Sequence, residues 1–174
     1  MKGLVHLYEG DGKGKTTAAV GLSIRFAGHG KKVLFTQFLK DGSSGEISVL
    51  EQVDGITVFS LKQKFGFTFC MTTDEKKEAG EAYRKYFDEI VKKVAEEDFE
   101  LLVLDEVIDA CNSGILPEEK LLEFLKNRKE TLEVVLTGRN PSEKLTEYAD
   151  YYTKLQKIKH PFDKGIAARM GSER

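Results

Sequence analysis

Cysteine and proline are both scarce in this 174-residue chain. The two cysteines, Cys70 and Cys111, form no CxxC pair and have no histidine cluster around them. That excludes a disulfide framework and a zinc site, and it fits a reducing, cytoplasmic setting. Three prolines in a sequence that is 40% hydrophobic and 32% charged describe a globular chain, not a disordered one. A surplus of positive charge is missing as well: 27 Lys+Arg stand against 29 Asp+Glu, for a formal charge of −2. No general attraction to nucleic acid or to an anionic membrane follows, so any anion site must be local. Nor does any run approach the roughly 20 apolar residues of a membrane span. Near the start, Leu4-Val5 and Leu7 are interrupted by His6 and preceded by Lys2, unlike a secretory leader. The length and the 19.6 kDa mass fit one domain over residues 1–174 with one hydrophobic core.

What is present is an alternation of short apolar runs and longer amphipathic ones. Residues 3–8 read as a strand that stops at Glu9-Gly10-Asp11-Gly12, a glycine-bearing loop. From Thr16, the positions Ala18, Ala19, Leu22, Ile24, Phe26 and Ala27 predict a well-buried helix ending at Gly28-His29-Gly30. Residues 33–38 read as a second strand before a polar loop at 41–45, completing one βαβ unit. Residues 56–61 predict a strand, and 64–69 an aromatic segment without helical periodicity. Residues 74–97 carry Ala79, Ala82, Tyr83, Tyr86, Phe87, Ile90, Val91 and Val94 on one face, the spacing of an amphipathic helix. Residues 101–104 and 134–137 read as strands buried on both faces, and Pro117 opens a helix running to about residue 127. Together these predict an α/β fold, a mostly parallel sheet with helices on both faces, whose ligands gather at the carboxyl ends of the strands.

Gly10-Asp11-Gly12-Lys13-Gly14-Lys15-Thr16-Thr17 lies between the first strand and the first helix, the context a phosphate-binding loop requires. Its glycines let successive backbone N–H groups converge on an anion, and the helix N-terminus adds partial positive charge. Lys15 supplies a full charge, and the Thr16 hydroxyl can ligate Mg2+. The fold is therefore expected to be phosphate-loop NTPase-like. One departure stands out: the common GxxxxGK[ST] pattern wants glycine at position 9, where this chain has Glu9. A glycine- and lysine-rich surface turn is the plainer reading, and the flanking strand and helix argue against it.

Asp105-Glu106, at the end of a hydrophobic strand, suits Mg2+ held directly or through water beside the phosphates. The competing reading is a helix N-terminus favouring acidic residues. Arg139, past another strand end, is placed to contact phosphate or ribose oxygens, or else is a solvated surface arginine. Phe65, Phe67 and Phe69 alternate as a core-packing strand would, or as a ligand-facing one. No Ser/Cys–His–carboxylate order is legible, and His160 and the cysteines receive no catalytic role.

Taken in order, these motifs resemble the CobA/BtuR-type ATP:corrinoid adenosyltransferases over nearly the whole chain. Residues 10–17 look like that family's GNGKGKTT loop, with Asp11 in place of Asn, and the family's loop shows the same shifted glycine. Gly28-His29-Gly30-Lys31 with Gln37-Phe38, Gly66-Phe67-Thr68-Phe69, Leu104-Asp105-Glu106 and Thr137-Gly138-Arg139 resemble further motifs of the family. So does Lys159-His160-Pro161-Phe162-Asp163-Lys164-Gly165. Phe69 stands where the best-known version has Trp. The chain begins almost at its first strand, without the N-terminal helix of some relatives, and ends in Gly171-Ser172-Glu173-Arg174 in place of an acidic-aromatic tail.

The resemblance implies transfer of the 5′-deoxyadenosyl group from ATP to cobalt(I) of a reduced corrinoid such as cobalamin or cobinamide, with intact triphosphate leaving. It implies ATP bound in reversed orientation by Gly10, Asp11, Gly12, Lys13, Gly14, Lys15, Thr16 and Thr17. Mg2+ would lie at Thr16, Glu106 and Asp105, and Lys15 and Arg139 would act on the nucleotide. Phe67 and Phe69 would fill the space below the corrin ring and displace its lower ligand. A flavoprotein reductant and a homodimer are the partners it suggests. Two other classes remain open on the residues alone. A phosphate-loop kinase or ATPase would cleave at the γ-phosphate, and a nucleotide-gated binding module would dock a partner on charged helix faces such as that of residues 74–97.

Overall fold

A computed structural model of the chain describes residues 2–40, 42, 44–63, 65 and 71–173. Its strands are β1 (Val5–Glu9), β2 (Val33–Gln37), β3 (Ile56–Ser60), β4 (Leu101–Asp105), β5 (Glu133–Gly138) and β6 (Tyr151–Lys154). Its helices are α1 (Lys15–Gly28), α2 (Gly45–Leu50), α3 (Thr73–Glu96), α4 (Val107–Asn112), α5 (Glu118–Asn127) and α6 (Glu143–Glu147). A 3-10 turn follows at Pro161–Lys164. The strands form one sheet in the order β3-β2-β4-β5-β1-β6, and every pairing is parallel.

The near-continuous apolar runs of β2 and β4 are buried on both faces, as a parallel sheet covered by helices requires. Alternate residues serve different cores. Leu34, Leu102, Leu104, Val134 and Leu136 pack with the buried stripe of α3 and with α4 and α5, whereas Val33, Phe35, Leu101, Val103 and Val135 pack with Ala19 of α1 and with Ile47 and Leu50 of α2. The expected single core is thus two cores separated by the sheet. α3 begins with a capping box, in which the Thr72 hydroxyl accepts from the Glu75 N–H and the Glu75 carboxylate accepts from the Thr72 N–H.

Two expectations need correction. α1 is not well buried: among its residues only Lys15, Ala19 and Ser23 are, and Ile24 is 42% exposed. Its apolar residues are dense, but one stripe alone meets the sheet. The segment 41–55, expected as loop at its start, holds the six-residue α2, too short to show a helical period. Of the aromatic segment, Phe65 packs against the first core, its ring 5.9 Å from that of Tyr83, while Phe67 and Phe69 lie outside the described residues. Among the described residues no helix is long and apolar enough to cross a membrane.

Candidate functional site

The carboxyl edge of the sheet brings together residues 9–16 after β1, 37–40 after β2, 105–106 after β4, 138–139 after β5 and 154–157 after β6. Gly14 is the N-cap of α1 with φ 118°, and it offers no side chain to the first turn, which also contains no acidic residue. The leading N–H groups of α1 are therefore left for an external anion. Lys15 is buried, and its Nζ donates to the carbonyls of Gly10 at 2.7 Å and Gly12 at 3.0 Å. Burial, followed by the Arg139 charge, lowers its pKa. A cationic, partly desolvated group folded against its own loop is a strong attractor for phosphate oxygens.

Why Glu9 replaces the usual glycine is visible in β6. The Glu9 carboxylate is 3% exposed and accepts from the Tyr152 hydroxyl at 3.2 Å, with the Lys154 ammonium also 3.2 Å away. The chain after β6 then straps the loop: Leu155 N–H donates to the Glu9 carbonyl, Gly12 N–H to the Leu155 carbonyl at 2.8 Å, and Lys157 N–H to Asp11 Oδ1 at 3.0 Å. A Cβ at Gly10 or Gly12 would sit 2.3 or 2.5 Å from the Leu155 oxygen, so these two glycines are required by the strap as well as by any ligand. Lys13 and Thr17 are exposed at the loop surface.

Asp105 is the hub beneath the loop. It is fully buried, and it accepts from Thr16 Oγ1 at 3.0 Å, Thr137 Oγ1 at 2.7 Å, Gln37 Nε2 at 3.2 Å and Lys40 Nζ at 3.0 Å. Such a carboxylate orients the Thr16 hydroxyl. Glu106 differs. It adopts the left-handed conformation at φ 62°, costly for a non-glycine residue, and its N–H is fixed by Thr137 Oγ1 at 2.8 Å. It is the N-cap of α4, where the competing helix-terminus reading places an acidic residue, but its side chain makes no capping bond. Burial, then the adjacent Asp105 charge, raises its pKa.

Gly138, at φ 149°, lets β5 turn against α4, where a Cβ would meet Ile108 Cβ and Asp109 Oδ2 at 2.6 Å. Arg139 leans on Asp109, its N–H 3.1 Å from Oδ2 and Nη1 3.4 Å from Oδ1, while the side chain stays 53% exposed. Its charge is felt at both Lys15 and Glu106. Thr16, Asp105, Glu106, Lys15 and Arg139 thus lie together on the carboxyl edge of the sheet. Lys40, Asp109 and the 155–157 strap were missed. Lys40 could have been found from its place just past a strand end; nothing in the sequence marked the strap.

The family described as ATP:corrinoid adenosyltransferase BtuR/CobO/CobP matches residues 1–173. The chain belongs to that family. Its curated relatives include the corrinoid adenosyltransferase of Escherichia coli (strain K12), 32% identical over 171 residues that cover 98% of this chain and 85% of the relative. A Sinorhizobium sp. corrinoid adenosyltransferase is 34% identical, covering 99% and 80% respectively. Among solved structures, the cytoplasmic domain of EssC superposes with a TM-score of 0.54 at 13% identity, over 97% of this chain and 35% of that one, a likeness of fold alone. As a corrinoid adenosyltransferase, the protein transfers an adenosyl group from ATP to a corrinoid. An adenosyltransferase needs a triphosphate cradle, and the uncapped α1 terminus above Lys15 has that form.

Proposed function

We propose that the strand-end site binds Mg2+·ATP with its triphosphate on residues 10–17, and that cobalt(I) of a reduced corrinoid attacks carbon 5′. The cobalt electron pair forms the new Co–C bond while the C5′–O bond breaks, and its electrons leave with intact triphosphate. No proton is abstracted, so no general base is required. The observation that carries this reading is Lys15, whose buried ammonium caps the loop carbonyls below an open helix terminus. Lys15 and the α1 N–H groups bind the triphosphate and stabilise the charge that grows on it during departure. Arg139, steadied by Asp109, adds a second cation at the rim. The test is to mix the protein with Mg2+·ATP and chemically reduced cobalamin and follow the spectrum for a light-sensitive cobalt–carbon product.

The donor set fits Mg2+. Thr16, Asp105 and Glu106 offer hard oxygens beside the phosphate loop, and no group of three His, Cys, Asp or Glu residues forms an independent metal site among the described residues. Phosphate oxygens must complete the coordination. When bound, Mg2+ neutralises triphosphate charge as it develops. Thr16 and Glu106 are the side chains that would hold it, with Asp105 acting through the Thr16 hydroxyl or through water.

Glu106→Gln provides a check in which stability and function move in opposite directions. A carboxyl whose folded pKa is raised contributes stability that is full below its unfolded pKa and is lost as pH rises through the folded value. The wild-type free protein therefore carries a cost near neutral pH that glutamine removes. Glu106→Gln is expected to melt higher than wild type at neutral pH, with the gap closing on acidification, and to bind Mg2+·ATP about tenfold more weakly or worse. Unchanged nucleotide affinity would remove Glu106 from the metal site.

For the corrinoid side, we infer from the family resemblance that Phe67 and Phe69 fill the space below the ring and exclude its lower ligand, easing reduction of cobalt(II). The neighbouring Phe65 packs on Tyr83 and through it on Phe38. Phe67→Ala and Phe69→Ala are expected to slow reaction from cobalt(II) with a weak reductant far more than reaction from prepared cobalt(I). Stability is measured alongside, because loss of a buried Phe can cost about 3–5 kcal/mol. Equal loss with both substrates would assign the rings to packing. Supply of the electron suits a flavoprotein, in a reducing cytoplasm compatible with the partly buried thiol of Cys111, whose pKa is pushed up to about 12 by burial. Exposed Tyr151 and Tyr152 on the edge strand β6, with Ile158 and Phe162 beyond it, support a homodimer.

A further inference from the structure

The reaction as set out above leaves Lys40 without a role, yet its ammonium lies at the centre of the site. Its Nζ is 3.0 Å from Asp105 Oδ2 and donates to Thr16 Oγ1 at 3.3 Å. A threonine hydroxyl has one proton and two lone pairs. Thr16 gives its proton to Asp105 and takes Lys40 on a lone pair, so the ammonium sits on the acceptor side of the hydroxyl, the side a metal ion needs.

The backbone is bent to bring it there. Leu39 holds φ 56°, in the left-handed region that bulky residues rarely adopt. Its N–H donates to the Tyr83 hydroxyl at 3.1 Å, and its side chain packs on the first core. Tyr83 is itself buried and stacked on Phe38, so α3 sustains the strain that aims Lys40 inward. The Lys40 ammonium, largely covered, has the fully buried Asp105 carboxylate as its counter-charge. On the other flank, Gln37 gives its Nε2 to Asp105, while its buried Oε1 has no hydrogen-bond partner among the described residues. The resting site therefore holds an acceptor for which it provides no donor.

We propose that Lys40 is a resident cation that fills the metal position on Thr16 and Asp105 until Mg2+ arrives with ATP, so that the site accepts a divalent ion only as the nucleotide complex. This rests on the reading of Thr16 and Glu106 as the metal side of the ATP site. A bare divalent ion must displace the ammonium with no gain of negative charge. With ATP, the triphosphate supplies oxygens and charge for both cations, and the freed ammonium turns to the nucleotide's anionic oxygens. Lys40 is in this sense a positioning residue: it keeps Asp105 and Thr16 in register in the absence of substrate.

The test titrates Mn2+ alone and Mn2+·ATP into wild type, Lys40→Met and Lys40→Arg, read by electron paramagnetic resonance, with melting temperatures in Mg2+ without nucleotide. Wild type and Lys40→Arg are expected to bind Mn2+ only with ATP. Lys40→Met is expected to bind Mn2+ alone at least about tenfold more tightly than wild type, and to gain melting temperature from Mg2+ where wild type gains none. Lys40→Gln, which keeps a donor for Asp105, takes its place if the methionine variant fails to fold. Nucleotide-free Mn2+ binding equally weak in the charged and uncharged variants, with Mn2+·ATP bound by all, would overturn the role of Lys40 alone. Failure of wild type to bind Mn2+·ATP more tightly than metal-free ATP would overturn the metal reading beneath it.

Discussion

Lys15→Ala is expected to lower kcat by about 10²–10³-fold while leaving the protein folded and melting close to wild type. The size of the loss follows from position. The Lys15 ammonium is a buried charge of the loop, and under the proposed reading the departing triphosphate would concentrate negative charge beside it. The small effect on stability follows from two opposing contributions. Removing a lysine whose charged form is disfavoured by burial relieves a cost at neutral pH, and losing its bonds to the Gly10 and Gly12 carbonyls offsets that relief. Steady-state kinetics with prepared cobalt(I), together with a melting curve, checks both halves. A folded Lys15→Ala protein with normal turnover would show that the loop does not hold the triphosphate.

Asp105→Ala, in contrast, is expected to cost about 3–5 kcal/mol of stability in addition to activity. No other side chain of the site is so enclosed by partners: Thr16, Thr137, Gln37 and Lys40 all direct donors at one fully buried carboxylate. Its removal leaves the Lys40 ammonium, itself only 29% exposed, without its counter-charge. For a chain of this length that cost lowers the melting temperature by roughly 10 °C. Asp105→Asn, which keeps the shape and one acceptor oxygen, should lose less stability. Urea denaturation of the two variants measures the difference. Equal and small losses in both would mean that the carboxylate is not the structural centre of the site.

The parts of the site legible in the sequence are those that a local pattern encodes. A strand, a glycine-rich loop and a helix occur in succession, and that succession brings Lys15 and Thr16 to the strand ends with no knowledge of distant residues. Asp105 and Glu106 were legible because a run of four apolar residues ends at them. The helix 74–97 was legible because α3 repeats its buried face over many turns. What escaped is what depends on distant segments meeting. Glu9 became intelligible only beside Tyr152 and Lys154, which lie on an edge strand exposed along its length and lacking an apolar pattern. The short helices α2, α4 and α6 span too few residues for a period to emerge. The burial of α1 was overstated because apolar density does not reveal which residues meet the sheet. The place of Lys40 just past a strand end was legible, but its inward direction was not, because that depends on an unusual φ at Leu39 that no residue type there announces.

Which bond of ATP breaks is the most direct test of the account. If cobalt(I) attacks carbon 5′, charge develops on the α-phosphate end of the triphosphate, and Lys15, Arg139 and the metal side of Thr16 and Glu106 stabilise that whole group as it departs. Phosphorus NMR of a turnover mixture then shows inorganic triphosphate rising in proportion to adenosylated corrinoid, with little ADP, and almost no ATP consumed when corrinoid is left out. A kinase or ATPase would use the same loop around the γ-phosphate and release ADP. ADP formed without corrinoid at a comparable rate would contradict the account.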